Sequence, residues 1–101
     1  MLYLMMEKSN NKFFVKVGES RSPKTRRKTY KTHNPTAIMR STCAGTASAE
    51  KASRVILDKL GKRLEGSEWY EVNETVFNKF YLEGLKVVRP NQSPIKFLEE
   101  F

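Results

Sequence analysis

Cysteine occurs once in this chain, at Cys43, and histidine once, at His33. No disulfide can close within the sequence, and a closed zinc site of Cys and His ligands lacks its donors. Cys43 follows the apolar Ala37-Ile38-Met39 run and reads as a small buried hydrophobe. No apolar run approaches the length of about 18 residues that a membrane span requires. The opening Met1–Met6 stretch has no basic leader and no cleavage signature, so it reads as a strand and not as a signal peptide. A cytoplasmic protein with no membrane partner is expected. Acid is scarce in one place above all: between Lys12 and Arg40 the only carboxylate is Glu19.

That same stretch holds nine cations: Lys12, Lys16, Arg21, Lys24, Arg26, Arg27, Lys28, Lys31 and Arg40. Its net charge of +8 equals that of the whole chain, so the remainder sums to zero. The imbalance is local, and a local cationic face is what a polyanion partner requires. At 101 residues the chain makes one domain with a modest core.

Two extended segments open the chain, residues 1–7 and Phe13 to Val17, joined by an Asn-containing polar turn. They predict an antiparallel hairpin. Lys16 interrupts the second apolar run and is expected to face outward, and Gly18 marks a close backbone turn. Ser22-Pro23 is a helix start, and the following PKTRRKTYK runs to about Lys31 before Asn34-Pro35 stops it. That helix has almost no apolar residues. Thr36 to Thr42 reads as a third strand. A second helix spans about Ala47 to Leu60, with Ala49, Ala52, Ser53, Ile56 and Leu60 on one stripe. A polar loop leads to an extended Glu68–Val72, and Asn73 caps a third helix that ends near Gly84. The order β-β-α-β-α-(β)-α predicts an α+β fold, a small, mainly antiparallel sheet flanked by helices. Residues 1–85 form the domain; residues 86–101, with Ile95, Phe97, Leu98 and Phe101, dock on it or on a second copy in a homodimer.

These residues resemble the GIY-YIG endonuclease superfamily, in its small phage and bacterial branch. Met1-Leu2-Tyr3 stands at the first signature and Lys16-Val17-Gly18 at the second. Arg26 follows that glycine by eight residues, Tyr30 comes one turn later, and Glu68-Trp69-Tyr70 matches a Glu-Trp-Phe-like ending. Two positions depart: Lys16 replaces a usual tyrosine, and the metal-binding glutamate aligns with Ser53, leaving Glu50, one turn earlier, as its substitute. The resemblance implies Tyr3, Arg26, Tyr30 and Glu50 as a catalytic constellation for phosphodiester cleavage. Glu50 would hold Mg²⁺ or Mn²⁺, Arg26 would contact the scissile phosphate, and Tyr3, acidified by nearby cations, would position or activate water. Asn73 or Asn78 would add a polar contact. Lys16, Arg21, Lys24, Arg27, Lys28, Lys31, His33 and Arg40 would bind the backbone, and Trp69 is read as core. DNA is the expected partner. The alternative is a fold without catalysis, acting as a binder of DNA, RNA or a host protein.

Overall fold

Two residues reverse the chain at its first turn. Asn10 and Asn11 both take positive φ, 52° and 62°, the two-residue conformation whose twist matches a hairpin. They join β1 (Leu2–Ser9) to β2 (Lys12–Glu19) in an unbroken antiparallel register from Leu2↔Glu19 to Ser9↔Lys12. The computed structural model describes residues 1–33 and 35–100, without the side chains of His33 and Glu100. Among these residues the elements that follow are α1 (Pro23–His33), β3 (Ile38–Cys43), α2 (Ala47–Leu60), β4 (Lys62–Arg63), β5 (Tyr70–Val72), α3 (Glu74–Glu83) and a closing 3-10 turn (Lys96–Glu100). The strands form one sheet in the order β3-β1-β2-β5-β4, every pairing antiparallel. The fold is α+β, as the element order predicts.

The strand alternation divides the sheet into two unlike faces. Leu2, Leu4, Met6, Val15 and Val17 point to one face and pack with Leu57 of α2, Val76 and Phe80 of α3, and Ile95 and Leu98 of the last segment. Full burial of each large side chain here contributes about 1.5–3 kcal/mol. Tyr3 and Met5 point to the other face and pack with Ala37, Tyr30, Met39 and Trp69.

Local signals place the helices on the first face. Thr46 and Asn73 cap α2 and α3, each accepting a backbone N–H three residues on. Gly84 ends α3 at φ 62°, a conformation that disfavours any side chain. Helix α1 differs. Only Pro23 and Tyr30 are partly covered among its described side chains, so it rests on the second face through Tyr30.

Candidate functional site

The second face gathers a polar cluster under α1. The hydroxyls of Tyr3 and Tyr30 lie 3.4 Å apart, with ring centroids at 6.2 Å. Lys16 donates to the Tyr30 hydroxyl, and its ammonium sits 4.7 Å from that ring's centroid. Trp69 meets Tyr30 edge-on at 6.3 Å. Cross-strand register brings these together: Tyr3 pairs with Gly18 and Met5 with Lys16, all pointing the same way. Gly18 is extended within β2 and makes no turn. Its missing side chain is the space Tyr3 fills, since a Cβ there would lie 2.5 Å from Tyr3 Cζ.

Lys16 does not face outward as its place in the sequence suggests. It is 8% exposed, because alternation turns it away from Val15 and Val17 onto the second face, where Tyr30 covers it. Its ammonium also pairs with Glu68 Oε2 at 3.1 Å. Glu68 Oε1 accepts from Arg54 Nη2 at 2.7 Å, and the same Nη2 donates to Glu50. The β2–β5 pairing stops at Val15↔Tyr70, so on the β5 side Lys16 and Val17 have no strand partner. Through that opening Arg54, from α2, reaches a carboxylate that Lys16 shares from the other face.

This chain of contacts decides where Glu50 belongs. It does not join Tyr3 directly; Arg54 and Glu68 stand between. Nor do the residues fit a divalent cation. Glu50 is engaged by Arg54, Glu68 by both Arg54 and Lys16, and a dication would have to displace a guanidinium beside an ammonium. No group of three or more His, Cys, Asp or Glu suited to a metal occurs among the described residues. A Mg²⁺ or Mn²⁺ at Glu50, as expected from the sequence, would therefore have to compete with Arg54 for that carboxylate. Ser53, aligned with a metal-binding glutamate, is fully buried in the stripe of α2 and bonds to the Ala49 carbonyl and to Ser93 Oγ.

The electrostatics also revise the role expected of Tyr3. Burial pushes its phenol well above the ordinary tyrosine range, Tyr30 adds to the rise, and the charge of Arg26 only partly opposes it. That rise holds the proton on Tyr3, which leaves its hydroxyl a hydrogen-bonding group and runs against the acidification expected of it. For Glu68, desolvation alone would raise the carboxyl, yet the hydrogen bond and charge of Lys16 and the charge of Arg54 outweigh it and lower it. Cys43 is buried, and that burial raises its thiol.

Above this cluster α1 presents Lys24, Arg26, Arg27, Lys28 and Lys31, all exposed, and Arg21 precedes them. None of the six has a carboxylate within ion-pair distance among the described residues. The first turn of α1 carries no acid, so the positive end of the helix dipole adds to the same field. The His33 side chain lies outside the described residues. Arg40 is not part of this surface. The β1–β3 register shifts between Leu4 and Met5, a bulge that leaves Arg40 without a partner in β1, and its Nε donates to the Tyr81 carbonyl of α3 at 2.7 Å. Asn73 is used as a cap, its Oδ1 accepting from Val76 N at 2.8 Å, and Asn78 is exposed on α3.

Sequence reasoning missed Arg54 and Glu68, and read Trp69 only as core. The Glu50–Arg54 spacing of four residues was a usable signal for a helical ion pair. Nothing local marks Glu68, which meets its partners only through tertiary folding.

Comparison with known proteins supplies a family. The model of the T5orf172 domain matches residues 1–84. This overturns the resemblance to the GIY-YIG superfamily, for the family is a different one. The motifs that suggested it are three residues long and have local reasons here: Gly18 makes room for the Tyr3 ring, and Lys16 fills the position where a tyrosine was sought. No curated protein and no solved structure matches the chain.

Proposed function

We propose that this chain, which belongs to the T5orf172-domain family, binds nucleic acid by its sugar-phosphate backbone, with DNA as the foremost ligand. One observation carries the reading: the six cations from Arg21 to Lys31 crowd one exposed helix and its approach without a carboxylate partner among the described residues. Cations left unpaired on a protein surface release counterions from a polyanion on contact, which makes affinity steeply salt-dependent. Arginines at 26 and 27 add the forked geometry suited to phosphate oxygens.

A salt series tests this. Fluorescence polarisation of a labelled 20-base-pair duplex, from about 50 to 200 mM salt, is expected to show a linear fall of log K with log salt. Arg26→Ala and Lys28→Ala should each lessen that slope by about one. A salt-insensitive signal, or none, would sink the reading and point to a protein partner. Running the series with single-stranded and duplex RNA separates the alternative ligands.

A second reading takes the grip further, to hydrolysis of the bound phosphodiester. It is favoured by the meeting of Tyr3 with Tyr30 and with the field of Arg26. With both nearby carboxylates held by cations, the chemistry open to this chain's own side chains is orientation of the phosphate and stabilisation of its developing charge by Arg26 and its neighbours. Supercoiled plasmid incubated with Mg²⁺, Mn²⁺ or chelator tests it. Nicking that Arg26→Ala abolishes supports the reading, and intact plasmid under all three conditions refutes it.

A further inference from the structure

We propose that Lys16 and Arg54 form a phosphate subsite in which Glu68 sits as an internal substitute, and that a nucleic-acid phosphodiester displaces it. This rests on the binding reading above and adds how that same site is held before the ligand arrives.

The geometry carries the argument. A carboxylate and a phosphodiester both offer two anionic or partly anionic oxygens at similar spacing, so a pair of cations that clamps one suits the other. Glu68 gives one oxygen to Lys16 Nζ at 3.1 Å and the other to Arg54 Nη2 at 2.7 Å. The clamp is unevenly exposed. The Lys16 side chain is 10% exposed and fixed from the far side by Tyr30, whereas the Glu68 side chain is 44% exposed. The cations are thus built into the protein, while the anion stands at its edge on a segment just before β5 and is free to swing into solvent. Displacing an exposed carboxylate costs little, because water resolvates it.

Arg54 supplies the second observation. Its Nη2 serves two carboxylates at once, yet its Nε is buried with no hydrogen-bond partner. A buried donor without an acceptor is a penalised arrangement. The guanidinium edge formed by Nε and Nη2 is the fork that takes two oxygens of one phosphate. In the Glu68-bound form this fork is half used. A phosphodiester in the place of Glu68 would engage both nitrogens and remove the penalty. Arg54 also keeps Glu50, so the guanidinium does not leave its seat when Glu68 does.

Glu68→Gln tests the proposal, measured on the same labelled duplex. Glutamine keeps an acceptor oxygen for Lys16, so folding is retained, and circular dichroism checks it. The control is Glu65→Gln, which removes the same charge from an exposed position with no ion pair among the described residues. Glu68→Gln is expected to tighten binding at low salt by about fivefold, the upper range for an exposed ion pair. The salt slope should stay close to that of wild type, because the same cations contact phosphate in both proteins. In an Arg54→Ala background the gain should shrink, a coupling that a general charge effect would not give. In wild-type protein the Arg54 Nε–H resonance should move downfield on adding duplex. Equal gains from Glu68→Gln and Glu65→Gln, with an unmoved Nε–H signal, would overturn this inference and leave the binding reading standing. Absence of any duplex binding by wild type would overturn both.

Discussion

Replacing Gly18 with alanine tests the way the polar face is built. The added Cβ would lie 2.5 Å from Tyr3 Cζ and 3.0 Å from Cε1. Carbon atoms rest at about 3.5–4.0 Å, so the overlap is about 1 Å at its worst and falls on a ring, not on a yielding methyl. Tyr3 is 3% exposed and is enclosed by Met5, Ala37, Tyr30 and Trp69, so the ring cannot step aside without moving Tyr30. Overpacking of this kind costs about 1–3 kcal/mol. Each kcal/mol lowers Tm by about 4–8 °C in a domain of this size. Urea unfolding followed by circular dichroism gives the number directly. The decisive comparison is Gly18→Ala made in a Tyr3→Ala background, where the space is already empty. There the alanine should be close to neutral, and the two changes should couple by more than about 1 kcal/mol. An unchanged cost in that background would refute the argument, and would mean that Gly18 is required by its backbone and not by its neighbour.

Arg40→Ala should leave the salt slope of duplex binding unchanged, while costing up to about 1 kcal/mol of stability through the lost α3 terminus contact; a reduced slope would return Arg40 to the nucleic-acid surface. Phenolate absorbance titration of wild type against Tyr3→Phe should show that the last phenol to ionise is Tyr3. Its raised folded value means that its contribution to stability is complete below the ordinary tyrosine value of about 10 and is lost as pH rises through the folded value. Glu68 runs the other way: its folded value is lowered, so its contribution is present above the ordinary glutamate value of about 4.3 and fades as pH falls through the folded one. The stability difference between wild type and Glu68→Gln should therefore narrow on acidification below about pH 4.3, as urea midpoints would record. Asn73→Ala should cost about 1 kcal/mol as the lost cap of α3, with no effect on duplex affinity.

What the sequence made legible was local. Asn73 and Gly84 bound their helix by chemistry contained within four residues, and Asn10-Asn11 sit where the hairpin turns. The cationic helix was equally readable, since Ser22-Pro23 and a run of charge need no tertiary partner. Three features escaped. Lys16 looked solvent-facing because the companion that covers it, Tyr30, lies 14 positions away. Arg40 looked like part of the basic face because a bulge, invisible in a string of letters, turns it toward α3. The two-residue β4 fell inside what reads as a polar loop, since Lys62 and Arg63 carry no strand pattern of their own. The site proper depends on Glu68 and Arg54 meeting across 14 positions, and only the folded sheet, ending where β5 ends, brings them together.

The last segment bears on how the chain is made. The family match stops at residue 84, yet Ile95 and Leu98 lie among the innermost side chains, against the face that carries α2 and α3. Synthesis delivers β1, β2, α1 and β3 within the first 43 residues, so the hairpin and its basic helix leave the ribosome while the apolar face behind them is still open. That face cannot close until residues 95 and 98 have emerged. Until then Leu2, Leu4 and Met6 have only the cover that α2 and α3 supply. A stop introduced after residue 84 would make that interval permanent.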